Sequence, residues 1–248
     1  MIKVLKKTFD ILELIAQRED AVFSGEIART LDLNLPTCSR ILKDLAEMGY
    51  VEQVATKKGY ILGPASYNLS AKKSYRRDLT EIVDPMVKEC AYSLKESVLF
   101  TILKNTKRYI LSHHNGNPEL QVIIDKPFYE DAYVTATGRV QLAYCEKDEV
   151  EKYIAKNGLP GMRWDNINTR EKFDKALEKV RFDGFYADKR PDSQLAIVGF
   201  PVFQRDKFIG ALGCSLLQST FSGERKEKVI AEIGRNAELV TAALHNEI

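Results

Sequence analysis

The chain has 248 residues, 44% of them hydrophobic, 29% charged and 9% aromatic. This is a globular balance, too apolar for an intrinsically disordered chain and long enough for one large domain or two smaller ones. The net charge of +2 argues against a strongly basic nucleic-acid coat protein. No apolar run approaches the roughly 18 residues that span a bilayer. The N-terminus carries basic residues but no apolar h-region and no small-residue cleavage site, which argues against a signal peptide. Cys38, Cys90, Cys145 and Cys214 lie far apart. They show neither C-x-x-C spacing nor the density of a disulfide scaffold, and the expected compartment is the reducing cytoplasm.

The charge is unevenly placed. Residues 1–73 hold 11 Lys/Arg against 9 Asp/Glu, while the remainder holds 26 of each. The whole excess therefore sits in the first third, which invites a two-part reading.

Leu5, Thr8, Phe9, Leu12, Ile15 and Ala16 recur at helical spacing and predict an amphipathic helix over 3–17. A short second helix is expected from Ser24, a good N-cap residue, with Ile27 and Ala28 on its buried face. Residues 31–34 read as a turn. Pro36 suits the first turn of a third helix, and Ile41, Leu42, Leu45 and Met48 carry its apolar stripe. Gly49 then ends it. Strands are expected at 50–54 and 60–62 around a basic turn with Lys57 and Lys58.

Three helices and a hairpin with a basic tip describe a winged helix-turn-helix. Its third helix would enter a major groove, with base edges in reach of its N-terminal residues. The DNA-contacting candidates are Ser24, Pro36, Thr37, Cys38, Ser39, Arg40 and Lys43, with Lys57 and Lys58 on the wing. The other reading of the same pattern is a protein-interaction module with a solvated turn.

Residues 67–73 predict a helix leaving the wing, followed by a basic hinge of Lys72, Lys73, Arg76 and Arg77, with the boundary near Ser74. A helix from Leu79 carries Ile82, Val83, Met86, Val87, Cys90 and Leu94, and Pro85 should kink or restart it. Strands are expected at 98–103, 108–113, 120–124, 195–203 and 208–216, with turns at 105–107 and 205–207. Helices are expected at 135–144, 147–156 and 169–181. A final amphipathic helix carries Val229, Ile230, Ile233, Ala237, Val240 and Leu244. Strands with helices around them make this an α+β sheet domain.

Most catalytic chemistry finds no footing. His113 and His114 are adjacent in a strand, so they point to opposite faces and do not simply share one metal ion. Cys214 lies in a buried strand with no obvious base and reads as structural. No phosphate-binding G-x-x-x-x-G-K-[ST] loop appears. The helix opening at Thr135-Ala136-Thr137-Gly138 offers free N–H groups that could hold a carboxylate, or it is plainly capped by Thr135 or Thr137. No cofactor, metal or catalytic residue is assigned.

The segment S-G-E-I-A-R-T-L-D-L-N-L-P-T-C-S-R-I-L-K-D-L-A-E-M-G-Y-V-E resembles the helix-turn-helix of the IclR family of bacterial transcriptional regulators. Y-I-L-G at 60–63, T-A-T-G-R at 135–139, G-F-Y-A-D at 184–188 and G-F-P-V-F at 199–203 resemble that family's later landmarks, in order along nearly the whole chain. The resemblance implies a winged helix-turn-helix over 1–66, a linker helix over 67–79 and a GAF-like effector-binding and oligomerisation domain over 80–248. It implies a ligand-responsive regulator that binds a near-palindromic double-stranded DNA operator as a homodimer or a dimer of dimers. Small carboxylates or aromatic acids are the implied effectors. Carried across, the effector site comprises Ala136, Thr137, Asp188, Leu195, Ile197, Gly213 and Ser215, with Phe100, Tyr109 and Phe128 as a candidate aromatic wall. Arg139 departs from the family's usual Lys, and residues 189–194 lack its acidic pair and Gly. The rival readings are a small-molecule enzyme that would need a reactive Cys214 or a working His113, and a sensor that acts through protein contacts alone.

Overall fold

The computed structural model describes residues 2–54, 59–69, 76–118, 122–124, 126, 128–190 and 193–245. The chain divides into two compact units, Met1–Tyr75 and Arg76–Ile248.

The first unit contains α1 (Lys3–Ala16), α2 (Ser24–Thr30), α3 (Leu35–Glu47), β1 (Val51–Gln53), β2 (Tyr60–Leu62) and α4 (Pro64–Asn68). Its core joins Ile11 and Ile15 of α1 to Ile27, Cys38, Ile41, Leu42, Leu45 and Val51. Ile15 and Leu12 face the core as predicted, while Ile11 takes the place expected of Leu5 and Phe9. Leu5 and Phe9 are exposed, because α1 carries apolar residues on two faces and periodicity alone does not say which is buried. Met48 is likewise exposed at the end of α3. Gly49 takes a positive φ of 76° and stops the helix, where a Cβ-bearing residue would be strained.

Ser24 is not the N-cap of α2. Phe23 holds that place without a side-chain bond, and Ser24 is the first helical residue. The cap that matters is Asn34, read from sequence only as part of a turn. Its side chain accepts from Thr37 N at 2.9 Å and opens α3. β1 and β2 pair antiparallel, and Val22 bridges Tyr60 as a third short rung.

The second unit contains α5 (Arg77–Leu94), β3 (Ser97–Lys104), β4 (Lys107–Asn115), β5 (Phe128–Tyr129), α6 (Ala136–Tyr144), α7 (Lys147–Asn157), α8 (Arg170–Asp183), β6 (Tyr186–Lys189), β7 (Leu195–Gln204), β8 (Lys207–Leu217) and α9 (Gly223–His245). Six strands form an antiparallel sheet in the order β5-β4-β3-β8-β7-β6. The two-residue turns Asn105–Thr106 and Arg205–Asp206 have positive φ at both positions, as tight hairpins require.

Side chains alternate across this sheet. Val98, Phe100, Val198, Leu212 and Cys214 form one core with α5 and α9. Ala211 belongs to a second core with α6, α7 and α8, built on Tyr133, Tyr153, Trp164 and Phe173.

Two expectations are corrected here. α5 runs through Pro85 as one helix and does not restart there. Pro85 lies on the exposed face, so the Glu81 carbonyl it deprives of a partner can be solvated, while buried Val83 and Val87 hold the helix to the sheet. The strand expected at 120–124 is absent from its described part, 122–124; residues 120 and 121 lie outside the described residues. Instead the Asn115 side chain grips the Val122 backbone, accepting from its N–H and donating to its carbonyl, both at 3.2 Å. The edge strand is β5, and β6 is a strand that sequence reading did not assign.

Candidate functional site

On α3 the spacing sorts the candidate contacts. Pro36, Ser39, Arg40 and Lys43 stand at i, i+3, i+4 and i+7, and all are exposed. Cys38 faces the other way. It is 0% exposed, its Sγ donates to the Ser24 carbonyl at 3.6 Å, and burial pushes its thiol pKa up. It is a core residue and leaves the set of candidate DNA contacts. Thr37 is half-buried and its N–H is used by Asn34. Half-buried Ser24 has its carbonyl committed to Cys38. Lys43 makes an exposed ion pair with Glu47 at 3.7 Å, a contact of little stability. Lys57 and Lys58 lie outside the described residues.

In the second unit, strand register assembles several expected effector residues into one row. Asp188 pairs with Ile197, Ile197 with Ser215, and Ser215 with Ser97. Directly paired residues share a face, so these four side chains lie side by side. The next row on that face runs Tyr186, Gly199, Gly213, Leu99 and His113. α6 comes down on its two glycines. A Cβ at Gly199 would lie 2.8 Å from Ala136 C, and one at Gly213 would lie 2.4 Å from Thr137 Cγ2. Gly213 is thus the floor beneath α6 and not a wall of the cleft. Leu195 pairs with Leu217 one row further out.

Thr135 caps α6, accepting from Gly138 N at 3.1 Å. The first two helical N–H groups, on Ala136 and Thr137, have no intrahelical acceptor and make a positive helix end.

Beside this end lies a cavity of about 270 Å³ lined by Asp188 and Ile197 together with Val134, Arg139, Met162 and Arg163. Asp165, Lys189 and Arg190 complete its rim, so four cations meet two carboxylates. Arg139 is buried. Its Nε donates to the Tyr133 carbonyl at 2.6 Å, its Nη2 to the Arg163 carbonyl at 2.9 Å and its Nη1 to the Tyr186 hydroxyl. Its guanidinium also lies over the Trp164 and Tyr186 rings, at 4.8 and 4.6 Å from their centroids. A planar fork serves these contacts where an ammonium would not. Tyr186 in turn donates to Asp188 Oδ2 at 3.0 Å. Burial lowers the Arg139 pKa and raises that of the Tyr186 phenol.

Sequence reading missed Arg163, Tyr186 and Trp164. The last was signalled only by being the single tryptophan. The expected aromatic wall does not form as drawn. Phe100 is buried on the opposite sheet face with α5 and α9. Tyr109 and Phe128 pack on each other, 5.6 Å between centroids.

The two histidines separate. His113 Nε2 lies 2.9 Å from Ser97 Oγ, and His114 Nε2 lies 3.0 Å from Asp84 Oδ1. Burial pushes the Cys214 thiol well above its ordinary range, the opposite of an activated nucleophile. No helix among the described residues is long and apolar enough to cross a membrane.

A helix-turn-helix with one exposed polar face on its third helix, and a separate sheet unit with a charged cleft, define a ligand-responsive DNA-binding regulator. Comparison with known proteins gives the family. Residues 4–55 match the IclR helix-turn-helix domain, and residues 72–242 match the bacterial transcriptional regulator IclR C-terminal domain. The chain is 23% identical over 240 residues to the HTH-type transcriptional regulator KdgR of Escherichia coli, covering 96% of this chain and 91% of that protein. The Thermotoga maritima IclR structure superposes with a TM-score of 0.69 at 22% identity, covering 99% of this chain and 100% of that one. An IclR homolog from Microbacterium hydrocarbonoxydans, complexed with 4-hydroxybenzoate, superposes at 0.77 with 16% identity, covering 98% and 100%. The chain belongs to the IclR family of bacterial transcriptional regulators.

Proposed function

We propose that α3 reads an operator in the major groove through Pro36, Ser39, Arg40 and Lys43, with Lys57 and Lys58 reaching the backbone from the wing. The protein acts in the cytoplasm as a homodimer or a pair of dimers on a near-palindromic site, because paired recognition helices read two half-sites. The α6–β6–β7 cleft takes a small carboxylate, aromatic acids included, and occupancy shifts the pairing of the reading helices through the connector. The observation that carries the effector class is the excess of cations at the cleft, beside the positive end of α6. The 4-hydroxybenzoate held by the Microbacterium homolog agrees with that class.

Footprinting and gel shifts on fragments of the source genome test the DNA half. Arg40→Ala should lower operator affinity by about 1–3 kcal/mol with the melting temperature unchanged. Unchanged affinity would reject this placement of the recognition face. Titration with 4-hydroxybenzoate and simpler carboxylates tests the effector half, expected as saturable binding that alters operator affinity. A ligand response confined to uncharged molecules would reject the carboxylate class.

A further inference from the structure

Two segments far apart in the chain line the cleft. One is the loop 158–168 between α7 and α8, which contributes Met162, Arg163 and Asp165, and the other is the end of β6, with Asp188 and Lys189. The loop braces itself. The Gly161 N–H donates to the Ile167 carbonyl at 2.7 Å. The Arg163 side chain donates to the carbonyls of Asn157 at 3.1 Å and of Pro160 and Leu159 at 3.2 Å. A loop closed in this way moves as one piece, so its distance from β6 is set by what joins the two.

Arg139 joins them. It is 6% exposed. Its Nη2 holds the loop at the Arg163 carbonyl, its Nη1 holds β6 at the Tyr186 hydroxyl, and its Nε holds the Tyr133 carbonyl just ahead of α6. The Tyr186 hydroxyl accepts from Arg139 and donates to Asp188 Oδ2 at 3.0 Å, so the chain of bonds ends on a carboxylate of the cleft. A lysine ammonium carries its donors on a single nitrogen and does not span acceptors set around a planar fork. With each nitrogen engaged inside the protein, Arg139 lends the cleft its charge and its shape, and contact with a ligand falls to other groups.

We infer that Arg139 is the positioning residue of the cleft: it fixes the gap between the 158–168 loop and β6, holds Asp188 through Tyr186, and so sets the size of effector that fits. This rests on the reading of the cleft as the effector site and adds what determines its width.

The test uses full-length protein and two substitutions. Arg139→Lys keeps the charge and removes the fork, and Tyr186→Phe keeps the ring and removes the hydroxyl that reaches Asp188. Backbone hydrogen exchange is measured first, without ligand. Both variants should exchange faster in 158–168, while α5 and α9 on the opposite face of the sheet keep their wild-type protection. Benzoate and 1-naphthoate are then titrated against each protein, with Trp164 fluorescence as the signal. In both variants the affinity ratio should shift towards the larger acid by about threefold or more, the scale of one lost hydrogen bond. An equal loss for the two acids marks Arg139 as a direct ligand of their shared carboxylate and overturns the positioning role. Unchanged exchange in 158–168 overturns it too. If Arg139→Lys fails to fold, Tyr186→Phe decides alone, since its ring packing is retained. A wild type that binds neither acid at millimolar concentration overturns the carboxylate reading of the cleft, and exchange in 158–168 then decides the role of Arg139 by itself.

Discussion

The methyl group of Thr137 occupies the space that any side chain at Gly213 would need: a Cβ there would lie 2.4 Å from Thr137 Cγ2 and 3.0 Å from the Val198 carbonyl oxygen. The start of α6 is seated on the sheet by the absence of two side chains, at Gly213 and at Gly199. Its position, and with it the position of the Ala136 and Thr137 N–H groups, is fixed by shape.

The two glycines should respond differently to alanine. At Gly199 the new Cβ meets backbone, Ala136 C at 2.8 Å and Thr137 N at 3.0 Å, so α6 itself must move. At Gly213 the sharpest contact is a methyl group. Gly199→Ala should cost about 1–3 kcal/mol and impair effector binding, and Gly213→Ala should cost less. Adding Thr137→Ser to Gly213→Ala should recover most of the loss, because serine lacks the clashing methyl. Urea unfolding followed by Trp164 fluorescence reports on this unit alone, since Trp164 is the single tryptophan and is 2% exposed. A serine that gives no rescue would refute this account of the contact.

In the first unit the cap of α3 is the corresponding point of leverage. Asn34→Ala removes the acceptor for Thr37 N, and such a loss costs about 1 kcal/mol of stability. Because the freed turn carries Pro36, Ser39 and Arg40, operator affinity should fall as well, although Asn34 itself need not touch DNA. Asn34→Asp should keep both properties close to wild type, since aspartate caps as well. Circular dichroism melting and gel shifts on the same three proteins separate the cap from a direct contact. Loss of affinity in Asn34→Asp equal to that in Asn34→Ala would point to the direct contact.

Legibility in the sequence followed the kind of interaction. Elements set by local chemistry were readable: Asn105 and Asp206 in the hairpin turns, the left-handed stop at Gly49 and the Thr135 opening of α6 all match residue types with strong local preferences. Facing was harder. Cys38 sits between half-buried Thr37 and exposed Ser39 in sequence, and only the packing of α3 against α2 shows that its thiol turns inward. α1 is apolar on two sides, so Leu5 and Phe9 were misjudged as buried and Ile11 was missed. Long-range constellations were out of reach. Nothing local links Arg108 to Thr137, or Arg139 to Tyr186, and both contacts exist only because α6 lies across the sheet.

His113 makes acid sensitivity a property of the sheet face that carries the cleft. Burial lowers its pKa below the ordinary value near 6.5, with the neighbouring His114 adding to the effect and Asn115 opposing it. The unfolded chain therefore binds a proton that the folded chain refuses. Stability is unaffected well above 6.5, then declines as pH falls from there towards the depressed folded value. His113→Asn should flatten that part of the profile while leaving the response above pH 7 alone. Melting temperatures measured from pH 5 to pH 8 for both proteins decide it. Parallel profiles would assign the acid sensitivity to other groups.

The last prediction concerns the join between α5, β3 and α9. Arg225 Nη2 donates to Glu96 Oε1 at 2.7 Å and to the Leu94 carbonyl at 2.9 Å. Glu96 is 7% exposed, directly after α5 ends at Lys95 in a left-handed conformation. One guanidinium thus satisfies both the end of a helix and a buried carboxylate. Removing it alone strands the acid, and breaking such a pair from one side costs about 3–5 kcal/mol when burial is complete, so about 3 kcal/mol suits this partly open site. Arg225→Ala should therefore be strongly destabilising. Glu96→Gln should be milder, because the amide oxygen still accepts from Arg225. The double substitution should be more stable than Arg225→Ala, since a neutral amide is less costly to leave buried than a carboxylate. Urea midpoints for the four proteins give the coupling directly. If the double variant were as unstable as Arg225→Ala or worse, the Leu94 carbonyl and the packing of the Arg225 stem would account for the loss in place of the buried charge.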